Sequence, residues 1–231
     1  YHDYYKMKLD VLNKVETDLV MLCDNDDFIL PSGLNQQIDF LNTNTEFVSA
    51  SGRIMNFEIN NYDYATFGQN INFLNSCEYY RLEEPLSDWK DHINSVFTRF
   101  QPNFYNVFQT KFMKIIAKEL VELNFTDLVI NEFYIQLRAA TLGKSKILGS
   151  SFHYLRQRGT SSISTGYNFS EDLLRKNMPA DVRRLSTKIS SVVCEQSNYS
   201  KDEIFLFMLK SFSNYLNFYL PRVTLKFRFP K

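Results

Sequence analysis

In the stretch Asp18-Leu-Val-Met-Leu-Cys-Asp-Asn-Asp-Asp-Phe-Ile-Leu-Pro31, a run suited to a fully buried strand, Leu19 to Cys23, passes without transition into three carboxylates and then breaks at a proline. A continuous apolar run bounded by turn residues is the pattern of a strand covered on both faces. In open α/β sheets ligands bind beyond the carboxyl ends of the strands, so an Asp24-Asn25-Asp26-Asp27 loop there has a physical reason to exist. Carboxylates this close repel one another and raise each other's pKa unless a cation or a set of donors compensates. A hard divalent ion such as Mg²⁺ or Mn²⁺ is a natural compensator, because it takes one or two carboxylates and completes its shell with substrate phosphates. The competing reading is turn chemistry, in which the same residues cap the helix that follows. An EF-hand fits less well still, since the loop lacks the Gly and the distant Glu such a site needs.

Working outward, residues from about 4 to 15 carry Tyr5, Leu9, Leu12 and Val15 at helical spacing, with Lys6, Lys8, Asp10 and Lys14 mostly elsewhere. Helix then strand is the second half of a βαβ unit. After Pro31 the apolar Leu34, Ile38 and Leu41 predict a helix over about 33–41, and residues 46–57 predict a strand in which Gly52 permits a bulge or a close backbone approach. Arg53 in that strand is suited to a phosphate or carboxylate, or simply to solvent. Residues 58–77 read as loops and edge strands, and loops are where binding specificity usually lives. A helix is expected over 86–97 with Ser87 as N-cap, a strand over 104–108, and an amphipathic helix over 111–123.

The next segment, residues 125–143, opens on Asp127 as an N-cap and stops at Gly143, with Ile130, Phe133, Leu137 and Ala140 facing the core. At about 100° per residue, Glu132 falls roughly 120° from the centre of that stripe, free to face a cleft. Residues 144–148 have strand composition. In residues 152–164, Arg156 and Arg158 alternate on an extended chain, so both project to one side and can clamp phosphate oxygens. His153 suits a buried structural role better than a ligand role.

The run Leu22-Cys-Asp24-Asn-Asp26-Asp27-Phe-Ile-Leu-Pro31 resembles the D-x-D-D loop, followed by Pro and a helix, of family-2 glycosyltransferases with the GT-A fold. The resemblance implies that Asp24 and Asp26 hold the divalent metal, Mg²⁺ or Mn²⁺, that bridges the diphosphate of a nucleotide-sugar donor, with Asp27 supporting the loop and the donor. Asn131-Glu132, followed by Gly143 and a short strand, is similar to the family's acidic pair near the start of a helix. It implies Glu132 as the general base, with Asp127 as the second choice. An inverting enzyme needs such a carboxylate to take the proton of the acceptor hydroxyl. The segment around Arg156 and Arg158 is similar to the Arg-x-His-x-x-Ser segment that closes over the diphosphate, with Arg158 where the family often has His. In the family a preceding βαβ unit holds the base. Because the chain opens at Tyr1 rather than Met, it reads as a piece of something longer that lacks that unit.

Composition narrows the alternatives. Lys plus Arg and Asp plus Glu are 26 each, a balance that argues against nucleic acid as a partner. Cys23, Cys77 and Cys194 have no zinc or redox spacing and read as reduced packing residues. No run reaches the roughly 18 apolar residues of a membrane span and no signal peptide is visible, so a cytoplasmic location is expected. Helices are expected over 173–196 and 202–219. The tail 222–231 alternates basic and apolar residues, as an edge strand or flexible end, or as a peripheral contact with an anionic membrane.

The expected protein is therefore an α/β, GT-A (Rossmann-like) core with a mixed sheet over residues 1–165, the metal and acceptor half, and a helical C-terminal extension over 166–231. Its expected activity is metal-dependent inverting transfer of a sugar, hexosyltransferase-like, from a nucleotide-sugar donor to a glycan or other hydroxyl acceptor, as in polysaccharide biosynthesis. The alternative is a non-catalytic GT-A-like module for glycan binding or assembly.

Overall fold

The structure, a computed structural model, describes residues 2–24, 27–59, 71–74, 88–98, 105–157 and 178–226. In chain order the elements are α1 (His2–Asn13), β1 (Leu19–Met21), β2 (Phe28–Ile29), α2 (Pro31–Thr43), β3 (Phe47–Ile59), β4 (Ile71–Phe73), α3 (Trp89–Thr98), β5 (Val107–Gln109), α4 (Thr110–Leu123), α5 (Leu128–Leu142), β6 (Lys144–Gln157), α6 (Met178–Glu195) and α7 (Lys201–Lys226). The strands form one mixed sheet in the order β1-β5-β3-β6-β2, with β4 added to β3. Among the described strands only β3 and β6 pair in parallel, while β5 runs against both β1 and β3. It follows that β1, β3 and β6 all point the same way. Their carboxyl ends share one edge of the sheet.

The long β3–β6 ladder slips in register around Gly52, where Ser51 opposes Ile147 but Arg53 opposes Phe152. A Cβ on Gly52 would sit 2.7 Å from the Ser151 carbonyl oxygen, so only glycine permits the approach expected there. The bulge lets residues 144–157, expected as a short strand and a separate segment, run on as one strand. It also divides the sheet's work. Residues before it pair toward β5 and β1, and residues beyond it pair with β4 and β2.

Helix boundaries follow local chemistry. α2 begins at Pro31, whose missing N–H and fixed φ suit the first turn. Asp127 caps α5 as expected, accepting from the N–H groups of Val129 (2.8 Å) and Ile130 (3.2 Å). Ser200 and Glu203 form a reciprocal capping box at α7. At α3, Asp88 takes the Lys90 N–H at 2.6 Å, whereas Ser87, the expected cap, lies outside the described residues.

Four expectations are corrected. β1 is three residues long and only partly buried; pairing with β5 alone among the described strands leaves it at the end of the sheet order, so it is not covered like a central strand. Of the strand expected over 104–108, residue 104 lies outside the described residues and the strand observed is Val107–Gln109; the buried Tyr105 ring meets Tyr154 at 4.5 Å, tilted by 41°. α7 continues to Lys226, so residues 222–226 are helical rather than an edge strand. Cys23 is exposed rather than a packing residue. Among the described residues no helix is long and apolar enough to cross a membrane.

One large buried cluster joins α1, α3, α4, α5, α6 and α7. Its centre is Phe133 of α5, whose ring meets Phe97 at 4.8 Å, Tyr215 at 5.0 Å and Phe212 at 6.3 Å. Such edge and tilted pairs each add about 0.5–1.5 kcal/mol beyond their burial. α5 is consequently covered on most of its circumference, with Val129 through Gln136 buried except Glu132. That is a tighter setting than a helix with one face on an open cleft.

Candidate functional site

The acid loop leaves β1 at the shared carboxyl edge and is held there by Tyr154 of β6. The Tyr154 hydroxyl accepts from the Asp24 N–H at 3.2 Å and donates to Asp27 Oδ2 at 2.9 Å. Asp27 Oδ1 accepts from the Gln157 N–H at 2.8 Å, and the Asp27 N–H closes the turn onto the Asp24 carbonyl. Asp27 thus ties the loop to β6. Burial, with further help from the Cys23 and Asp27 contacts, pushes the Tyr154 phenol far above its ordinary range, so it stays a neutral donor. Tyr154→Phe removes one hydrogen bond each from the Asp24 N–H and the Asp27 carboxylate in a part-buried place. It should lower unfolding stability by about 1–3 kcal/mol in a urea titration.

Glu132 is partly buried on α5 and faces the same region. Burial pushes its carboxyl up to about 7; Arg156 opposes the rise, Asp127 and Asp24 add to it, and Lys8 opposes it. Asp24 and Glu132 in turn act on Lys8 and Tyr4 of α1. Burial lowers Lys8 to about 8 against the pull of those two carboxylates, and its ammonium lies 4.0 Å from the centre of the Tyr4 ring. Burial likewise carries the Tyr4 hydroxyl up to about 12, with Asp24 and Glu132 adding to it. Five groups from four parts of the chain therefore share one electrostatic neighbourhood: Tyr4, Lys8, Asp24, Glu132 and Arg156. Lys8 and Tyr4 were not singled out from the sequence, because nothing in the α1 pattern marks which polar position faces a loop sixteen residues on.

Arg156 sits 5.4 Å over the Tyr105 ring, and Arg158 lies outside the described residues, as does Asp26. Asp127 is turned to its own helix and is placed as a cap, where it acts on Glu132 as a nearby charge. Asn131, where the family resemblance implies an acid, is fully buried and donates to the Asp127 carbonyl at 2.7 Å. A carboxylate there would be a buried charge among backbone acceptors, which explains the amide. His153 is enclosed: its Nδ1 accepts from the Gly52 N–H at 3.1 Å and its Nε2 meets the Tyr105 carbonyl at 3.0 Å. Burial holds its pKa down, and both nitrogens serve the sheet rather than a ligand. Arg53 stacks on Phe152 at 4.5 Å.

Among the described residues no group of three or more His, Cys, Asp or Glu is arranged to hold a metal. A magnesium or manganese ion does not need such a cage, since it takes one or two protein carboxylates and fills its shell with phosphate and water. Asp24, at the carboxyl edge, offers one such carboxylate, with Lys8 in its electrostatic neighbourhood and Arg156 in that of Glu132. Asp27 is already engaged through both oxygens.

No protein-family model and no curated protein sequence matches the chain. Among solved structures, the backbone is similar to that of S. aureus TarS, with a TM-score of 0.50 and 12% identity over 91% of this chain. The match covers 30% of the TarS chain, so this chain spans under a third of that protein's length. At such identity the likeness concerns architecture alone: the chain shares the α/β backbone arrangement of that part of TarS.

Proposed function

We propose that this chain carries the metal and acceptor half of a metal-dependent inverting glycosyltransferase site of GT-A type, acting on a nucleotide-sugar donor and a glycan or other hydroxyl acceptor. The observation that carries the reading is that Asp24, after β1, and Glu132, on α5, feel each other's charge at the carboxyl edge of the parallel strands, with Lys8 and Arg156 beside them. Asp24, with Asp26, holds the ion; when bound, Mg²⁺ or Mn²⁺ supplies charge stabilisation to a departing diphosphate. Lys8 and Arg156 orient the diphosphate through charge-assisted hydrogen bonds. Glu132 takes the proton from the acceptor hydroxyl onto its carboxylate as that oxygen attacks the anomeric carbon. Its pKa of about 7 keeps it basic enough to accept a proton yet largely ionised at mildly alkaline pH.

Isothermal titration with a nucleoside diphosphate and Mn²⁺ tests the reading. Binding should require Mn²⁺ and should weaken at least about tenfold in Asp24→Asn, the loss expected for one charged contact worth about 1.4 kcal/mol or more. Absence of metal-dependent nucleotide binding in the unaltered chain would favour a non-catalytic module that binds glycan or mediates assembly.

A further inference from the structure

Asp181 lies on α6, yet it is buried completely and spends its carboxylate on another element. Its Oδ2 accepts three hydrogen bonds at the start of α5: from the Thr126 N–H at 2.8 Å, the Thr126 hydroxyl at 2.8 Å and the Asp127 N–H at 3.0 Å. Its Oδ1 is paired with Arg184 one turn on. Two consecutive backbone donors, lying just before the first turn of α5, are thereby satisfied from outside the helix. Asp127 can then aim its own carboxylate at Val129 and Ile130, and Glu132 follows one turn later.

α5 is held elsewhere too, partly through Glu119 of α4. The Lys188 ammonium reaches Glu119 at 3.1 Å, and Glu119 bonds Tyr134 and Arg138 of α5 at 2.7 Å each. The Gln196 amide donates to the Thr141 carbonyl at 3.0 Å, next to the end of α5. α5 is thus held near its start by α6, in its middle by Glu119 of α4, which Lys188 of α6 braces, and near its end by Gln196, the residue after α6. Of these contacts, only the one at Asp181 acts on the Asp127 backbone at the start of α5, upstream of Glu132.

We propose that Asp181 is a positioning residue for Glu132: by fixing the Thr126–Asp127 backbone it sets where α5 begins and so where the Glu132 carboxyl stands against Asp24, Lys8 and Arg156. The proposal rests on the reading of Glu132 as the proton acceptor. A carboxylate suits the task because a single ionised oxygen accepts several N–H and O–H donors in a buried place, where leaving them unpaired costs most.

The test is carboxyl-carbon NMR of the full chain labelled at glutamate, with the Glu132 signal assigned through Glu132→Gln. In folded Asp181→Asn and Asp181→Ala the Glu132 midpoint should move by about 0.5 or more in pH, because its distances to Asp127, Asp24, Lys8 and Arg156 change. The Glu119 signal, held by Arg138, Tyr134 and Lys188, should stay where it is. A Glu132 midpoint unmoved in the folded variants, or a Glu119 midpoint that moves equally, overturns the proposal. Should neither variant fold, Arg184→Ala, which removes the half-exposed partner of Oδ1, is read by the same two signals. The measurement does not depend on turnover. Failure of Mn²⁺-dependent nucleotide binding with a shifted Glu132 refutes the enzymatic reading alone, and binding with an unshifted Glu132 refutes the positioning role alone.

Discussion

Glu132→Gln should reduce sugar transfer by about 10²–10⁴-fold in kcat, the contribution of a positioned proton acceptor, while Mn²⁺-dependent nucleotide binding stays within about threefold of the unaltered chain. The amide keeps the size of the side chain and loses only the ability to accept the acceptor's proton. The pH dependence follows from two groups. Glu132 must be ionised, so kcat/KM should climb with pH until about 7; Lys8 must be charged to face phosphate, so activity should fall above about 8. The expected profile is a bell with a narrow top between those values. Rates measured across pH 5–10 check it, and a flat profile through pH 7 would remove Glu132 from the mechanism.

The same carboxyl has a stability consequence of definite sign. Burial, the largest cause, raises the folded pKa from 4.5 to about 7, so the folded chain binds the proton more tightly than the unfolded chain does. Stability contributed at Glu132 is therefore present below about pH 4.5 and is lost as pH rises through about 7. At about 1.4 kcal/mol per pH unit and with allowance for partial exposure, the loss is about 1–3 kcal/mol. Glu132→Gln should thus melt higher than the unaltered chain at pH 8 and close to it at pH 4.5. A variant that loses activity and gains stability together marks a strained functional position rather than a packing one.

Gly33→Ala should be the most damaging single methyl in the described part of the chain. A Cβ there would lie 2.1 Å from the Phe152 carbonyl oxygen, 2.6 Å from its carbon and 2.7 Å from the His153 Cα. All three are backbone atoms, so no side chain can swing aside and α2 must lift from β6. Overpacking of a tight site costs about 1–3 kcal/mol and more where backbone must move; the upper end is expected here. The damage should reach the site. The Leu30 N–H bonds the His153 carbonyl at 2.8 Å, and β2 pairs with β6 at Tyr154 and Leu155, so lifting α2 disturbs the strand that clamps Asp27. Urea unfolding and Mn²⁺-dependent nucleotide binding should both worsen. Gly149→Ala is the control, since a Cβ there meets nothing within 4 Å. Equal effects of the two substitutions would refute the packing argument.

Features governed by neighbours a few residues apart were legible in the chain itself. The oil-to-acid step at Asp24, the proline start of α2, the Asp127 cap and the tight approach at Gly52 each depend on side-chain type and spacing within one turn or one bulge. The placement of Glu132 off the apolar stripe of α5 was equally readable from helical geometry. Folding alone decided the rest. Tyr154 grips a loop some 130 residues earlier, Asp181 caps a helix start about 54 residues earlier, and Lys8 turns toward Asp24 and Glu132 from a helix whose pattern marks only its buried side. The pKa of Glu132 belongs to this second group. Burial is a property of what other segments bring against a side chain, and no local spacing records it.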